Sequence, residues 1–238
     1  MGIPFRRDDA LPPGAVEDAA PGVRRVLCGN PSPFTFRGTN TYLIGRGRDV
    51  AVLDPGPEDA GHLAAILDAA RGETITRVLV SHTHRDHSPG AAALAAATGA
   101  RTVGHGPHLT PPGEGGEGGD HGFRPDIRLA DGDAVEGDGW RLNALHTPGH
   151  CGNHLCFALE GTGVLFSADH VMSWSTSVVS PPDGDMAAYM RSLQRVRERD
   201  DRLLLPGHGP AIADPRPFLA ALAAHREERE TRVAEALA

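Results

Sequence analysis

The sequence contains no lysine; all 23 of its basic residues are arginine. That absence excludes catalysis through a lysine Schiff base or a lysine general base. Cysteine is scarce, with Cys28, Cys151 and Cys156 forming no CxxC pair and being odd in number, which fits a reduced, cytoplasmic compartment. No apolar run approaches the roughly 20 residues needed to span a bilayer, so no membrane role is expected. The opening segment "MGIPFRRDDALPPG" has arginines but no apolar stretch behind them, so it does not read as a secretory signal. A formal net charge of −8 repels nucleic-acid phosphates at long range, and no local basic patch counters it.

What remains is a chain of 238 residues, long enough to bury a sizeable core. Short β-prone runs "VRRVLC", "NTYLIG" and "DVAVLD" come first, separated by Gly and Pro. A helix follows in "EDAGHLAAILDAARG", with Leu63, Ile66 and Leu67 at helical spacing and Gly72 as the expected C-cap. "TRVLVSH" is a strand, and "SPGAAALAAATGA" a helix opened by Ser-Pro. After the strand "RTVGH" comes a Gly- and Pro-rich segment, in which residues 113–119, "GEGGEGG", are expected to be mobile. Strands "WRLNALHT", "NHLCFALE" and "GVLFSAD", the amphipathic helix "DMAAYMRSLQRVRER", the strand "RLLLPG" and a C-terminal helix at about 215–237 complete the chain. Two mixed sheets packed face to face with helices outside, a four-layer αββα sandwich, would bury both sets of strands. With no linker between the halves, residues 1–238 are expected to form a single domain.

The run "VLVSHTHRDHSPG" places His82, His84, Asp86 and His87 within six residues, on the loop between a strand and a helix. Further candidates stand where later strands end: His150 in "TPGH", Asp169 in "SADH", His208 in "LPGHG" and Asp54 in "VLDPG". A lone histidine is usually structural, but strand ends are where side chains converge on a site held by rigid scaffold. Imidazole and carboxylate together suit zinc and its borderline neighbours, whereas calcium and magnesium call for oxygen-rich sites. Using all seven groups other than Asp54 requires two divalent metal ions per chain, zinc first, with iron or manganese as alternatives.

These motifs, His-Thr-His-Arg-Asp-His at 82–87 with His150, Asp169 and His208, resemble those of the metallo-β-lactamase superfamily. Within it, "NPSPFTFRGTNTYLIG", "HTHRDHSPG" and "LLPGHGP" are most similar to the β-lactamase-like protein 2 branch, which includes endoribonucleases and hydrolases of small acyl substrates. The resemblance implies His82, His84 and His150 on one metal and Asp86, His87 and His208 on the other. Asp169 would bridge both, and Asp86 and Asp169 are the carboxylates implied in catalysis. Asp54 would orient a ligand by hydrogen bonding. Such a centre generates a metal-bridged hydroxide near neutral pH. Only 30 residues follow His208, too few for the glutathione-binding helical domain of glyoxalase II relatives. The C-terminal helix would pack on the core or pair with another chain as a homodimer.

The rim implied by the resemblance includes residues 31–38, 106–122 and 170–186, and the last offers Met172 and Trp174 as substrate-binding residues. His154 would line the pocket or brace a ligand, with a structural strand histidine as the simpler reading. Cys151 follows a ligand but lacks a recognisable base. The rim carries Glu114, Glu117, Asp120, Asp183 and Asp185 against Arg37 and Arg124, poor preparation for a polyanion. The leading expectation is therefore hydrolysis of an ester, thioester or lactone of a small acyl substrate. Metal-dependent phosphodiester cleavage of RNA is the alternative, and a mononuclear iron dioxygenase of the persulfide type or a non-catalytic metal-binding protein stands third.

Overall fold

The computed structural model describes residues 2–112 and 118–237. Two sheets form the centre. The first takes the strands in chain order: β1 (Val16–Ala20), β2 (Val23–Leu27), β3 (Asn40–Ile44), β4 (Val50–Leu53), β5 (Ile75–Leu79), β6 (Arg101–Gly104) and β7 (Ile127–Arg128). Its first four strands pair antiparallel; from β4 onward the pairing is parallel. The switch coincides with helical crossovers, because parallel neighbours cannot be joined by a tight turn. The second sheet holds β8 (Ala134–Gly137), β9 (Trp140–His146), β10 (Leu155–Leu159), β11 (Val164–Ala168) and β12 (Leu203–Pro206), in the order β12-β11-β10-β9-β8.

The inner faces meet in one apolar layer, with Ile44, Leu53, Leu79 and Val103 from the first sheet against Leu142, Phe157, Phe166 and Leu205 from the second. Helices α1 (Ala60–Ala69) and α2 (Gly90–Thr98) cover the outer face of the first sheet through Ile66, Ala91 and Leu94. Helices α3 (Met186–Arg197) and α4 (Pro215–Leu237) cover the second through Tyr189, Leu193, Val196, Phe218 and Leu222. The central strands are buried along their whole length because both of their faces are covered. This is the four-layer αββα sandwich. No helix among the described residues is long and apolar enough to cross a membrane.

Several local expectations are corrected. Strands β1, β7 and β8 were not anticipated; β1 lies at a sheet edge with three exposed residues, and β7 is two residues long. Exposed or very short strands carry little apolar alternation to announce them. Helix α1 ends at Ala69 with Ala70 as its C-cap, and Gly72 lies at φ 80° in the turn beyond. Leu67 points outward at 37% exposure, since the 3.6-residue period aims Ile66 rather than its neighbour at the sheet. Residues 113–117, most of the segment expected to be mobile, lie outside the described residues. The end of that segment is tied down: the Arg85 N–H donates to the Gly118 carbonyl at 3.1 Å and the Asp120 N–H to the Thr83 carbonyl at 2.7 Å.

Candidate metal centre

All seven proposed ligands sit on loops that leave one edge of the paired sheets. His82, His84, Asp86 and His87 follow β5, His150 follows β9, Asp169 follows β11 and His208 follows β12. They come together in two groups: His82, His84 and His150 in one, and Asp86, His87, Asp169 and His208 in the other.

The short run Thr39-Asn40-Thr41, at the start of β3, fastens three of the site's segments at once. The Thr39 hydroxyl donates to the Asp86 carbonyl at 3.0 Å, and that of Thr41 to the Asp54 carbonyl at 2.6 Å. The Asn40 amide donates to the carbonyls of Pro206 and Gly209 at 2.9 and 2.8 Å, bracketing His208. Buried Arg25, paired with Asp9 at 2.7 Å, adds a bond to the same Gly209 carbonyl at 3.2 Å. In the sequence this threonine-asparagine-threonine run stands only within a stretch of resemblance, with no role of its own. Gly207 is required by contact: a Cβ there would lie 2.3 Å from Asp169 Oδ1 and 2.9 Å from His87 Cε1. Asp54 and Ala168, which precedes Asp169, hold positive φ values of 53° and 42°. Such values cost a non-glycine residue free energy and persist only where surrounding bonds fix them.

Each of the five histidine rings has its outward nitrogen held. His150 Nδ1 meets the Val178 carbonyl at 2.7 Å, and His208 Nδ1 meets the Gly38 carbonyl at 3.1 Å. Carbonyls only accept, so both Nδ1 atoms carry protons. The Ser81 hydroxyl gives its one proton to Asp54 Oδ2 at 2.6 Å, which leaves it to accept from His82 Nδ1 at 3.0 Å. His87 Nδ1 donates to Asp54 Oδ2 at 3.0 Å, and His84 Nε2 faces Asp183 Oδ2 at 3.2 Å. One buried carboxylate, Asp54, thus orients His87 directly and His82 through Ser81.

The inward nitrogens are then lone pairs in the neutral rings, and they crowd. His84 Nδ1 lies 3.0 Å from His82 Nε2 and 3.0 Å from His150 Nε2. His87 Nε2 lies 3.2 Å from His208 Nε2, with Asp86 Oδ2 and Asp169 Oδ2 at 3.2 and 3.3 Å from His208. Asp169 Oδ1 is buried with no hydrogen-bond partner. Converging buried lone pairs and an orphaned carboxylate oxygen are costly unless a cation or protons neutralise them. The donor set fits a divalent ion of the zinc type.

Without a metal the two groups respond differently. Burial and the neighbouring rings drive His82 well below the usual imidazole range and His150 down to about 4. Burial would lower His208 too, but Asp169 and Asp86 outweigh it and raise the ring to about 9; Asp86, Asp169 and Asp54 likewise push His87 well up. Asp86 and Asp169 are held well below the carboxylate range, the cost of burial being overcome by His87 and His208.

The site floors a cavity of about 610 Å³ lined by Phe34, Pro57, Met172 and Val178, with Asn30, Ser32, Thr35 and Arg85 among its polar walls. His84, Asp86, His150 and Asp169 open into it. Met172 is therefore a wall residue. Trp174 is set back, stacked on Phe36 at 5.0 Å between ring centroids. His154, just before β10, is fully buried with Nδ1 on the Thr147 hydroxyl at 2.9 Å, behind His82 rather than on the cavity wall. The Cys151 thiol is buried and pushed far up by burial, unsuited to nucleophilic attack. The rim charges change as well: Asp183 is buried, Asp185 caps α3 by accepting from the Ala188 N–H at 2.8 Å, Asp120 accepts from the Ser88 hydroxyl at 2.7 Å, and Glu114 and Glu117 lie outside the described residues.

An αββα sandwich with histidine and aspartate ligands gathered at one sheet edge defines a class of protein with a site suited to divalent metal. The chain belongs to the metallo-β-lactamase superfamily, whose family model matches residues 34–208. It is 34% identical over 228 residues to an atrochrysone carboxyl ACP thioesterase of Passalora fulva, covering 94% of this chain and 64% of that protein. A protein of the same name from Aspergillus chevalieri is 35% identical over 234 residues, covering 95% of this chain and 70% of that one. The chain thus spans about two thirds of the length of these relatives. A beta-lactamase domain protein from Burkholderia ambifaria superposes with a TM-score of 0.74 at 26% identity, covering 97% of this chain and 83% of that one.

Proposed function

We propose that the chain is a metal-dependent hydrolase that cleaves a thioester of a bulky, largely apolar acyl group. The observation that carries this reading is the placement of the two ligand groups at the floor of a cavity with a mainly apolar wall. Similarity to two proteins named as carboxyl ACP thioesterases supports the thioester over the ester and the lactone.

In this reading His82, His84 and His150 would hold one divalent ion, Asp86, His87 and His208 would hold a second, and Asp169, 3.3 Å from His208 and 3.7 Å from His150, would serve both. When bound, the ions polarise the scissile carbonyl and make water a competent nucleophile near neutral pH. The chain's own groups do the rest. Asp54 and Ser81 keep protons on the outward nitrogens of His87 and His82, so that the inward nitrogens stay free. Phe34, Pro57, Met172 and Val178 desolvate the acyl group and set it over the floor. Asp86, with 29% of its side chain exposed, opens into the cavity and, held well below the carboxylate range, stays ionised there, while a proton of the added water passes to the departing thiolate. Hydrolysis adds one water across the C–S bond and consumes no other reactant.

The test is a panel of acyl thioesters of increasing bulk, one lactone and one single-stranded RNA, assayed with zinc and after chelation. Thioester turnover that rises with acyl bulk, disappears with chelator and returns with zinc is expected. Metal-dependent RNA cleavage without thioester turnover would contradict the reading.

A further inference from the structure

Asp183 reads in sequence as one more acid on a turn, "PPDGD". The structure buries its side chain to 4% exposure and surrounds it with three other segments. Oδ2 lies 3.2 Å from His84 Nε2 and 3.7 Å from His108 Nε2. Oδ1 accepts from the Thr110 hydroxyl at 3.2 Å and the Gly152 N–H at 3.4 Å. His84 turns its other nitrogen, Nδ1, to the inward nitrogens of His82 and His150. The loop that carries Asp183 also supplies the Val178 carbonyl that holds His150 Nδ1. Residues 178 and 183 of one loop therefore fix the outward nitrogens of two of the three rings in that group.

We propose that Asp183 is a positioning residue for the three-histidine group: its carboxylate holds the Nε2–H of His84 so that Nδ1 presents its lone pair to the metal. A neutral imidazole has one ring proton, and the nitrogen that meets a buried carboxylate keeps it. Asp183 thus does for His84 what Asp54 does for His87, so each ligand group has one ring braced by a buried carboxylate. The loop whose neighbouring residues Met172 and Val178 line the cavity is at the same time a structural part of the metal site. The inference rests on the metal reading above, and the experiment separates the two.

Three proteins are compared: wild type, Asp183→Asn, and Asp185→Asn, which removes the same charge two residues away while keeping a competent helix cap. Zinc affinity is measured by chelator competition. The tautomer of His84 is read from the nitrogen-attached protons of ¹⁵N-histidine-labelled wild-type protein, free of metal and loaded with zinc. The expected result is an Nε2–H on His84 in both wild-type samples. Zinc binding in Asp183→Asn should be about 10–100-fold weaker, the range for lost outer partners of ligating histidines, and unchanged in Asp185→Asn. A proton on His84 Nδ1 in metal-free wild type would overturn the inference whether or not the variant folds. Wild type that takes up zinc alongside an Asp183→Asn of equal affinity would overturn it alone. Wild type that takes up no zinc would overturn the metal reading and this one together.

Discussion

His150 and His208 are both buried histidines whose Nδ1 is held by a backbone carbonyl, at 2.7 and 3.1 Å, yet burial and ring neighbours lower one to about 4 while two carboxylates raise the other to about 9. The difference lies in what faces Nε2. His150 looks at other rings, chiefly His84, with Asp169 only at 3.7 Å. His208 looks at Asp86 and Asp169 at 3.2 and 3.3 Å. One group is built of neutral donors that repel protons; the other carries two carboxylates that, in the absence of metal, draw protons onto its rings. The same fold edge thus gathers two groups of candidate ligands that differ in charge and in their hold on protons.

The strongest way to break this comparison is to remove Asp169, the carboxylate that lies 3.3 Å from His208 and 3.7 Å from His150. Asp169→Asn should cost both sites their metal and lower activity by more than the about 100-fold upper range for outer partners; elemental analysis beside turnover checks it. Loss from the carboxylate-containing group alone would deny Asp169 its place between the two.

Proton competition comes next. A raised ring holds its proton below its own pKa, so metal entering beside His208 must displace one at any pH below about 9. Affinity there should fall at least roughly tenfold per pH unit as pH drops from 9 to 7, about 100-fold or more in all, because the raised His87 ring must give up its proton as well. The three-histidine group, with His150 down at about 4, should keep its affinity across that window. Zinc titrations at pH 7, 8 and 9 read both. Equal slopes would erase the distinction.

Asp54→Asn should act more mildly, weakening metal binding about 10–100-fold without abolishing it, because its oxygens orient rings rather than face the metal. The loss should fall more on the His87 side, which Asp54 touches directly, than on His82, reached through Ser81. The smallest effect concerns the cavity. Thioester turnover should change by less than about twofold between 50 and 200 mM salt, since an apolar wall gives screening little to act on.

The convergence of the seven candidate ligands was legible because imidazole and carboxylate gathered at strand ends seldom serve packing alone, and "HTHRDH" puts four such groups on one loop. The sandwich was legible because doubly covered strands are continuous apolar runs. What was not legible depends on where loops travel. Asp183, in a Pro- and Gly-rich turn, gives no sign that it returns to His84. Trp174 and Met172 are two residues apart, yet only Met172 meets the cavity. His154 sits four residues after a proposed ligand, but its ring is held by the Thr147 hydroxyl behind the site. The roles of Thr39, Asn40 and Thr41 lie in bonds to segments 13 to 169 residues away.

Metal-free protein titrated with zinc at pH 8, with thioester turnover followed at each addition, tests the central claim most directly. Two unlike sites that act together predict little turnover through the first equivalent and a rise that ends at the second, with protons released mainly in the second step. Full turnover at one equivalent, or none at two, would contradict the account.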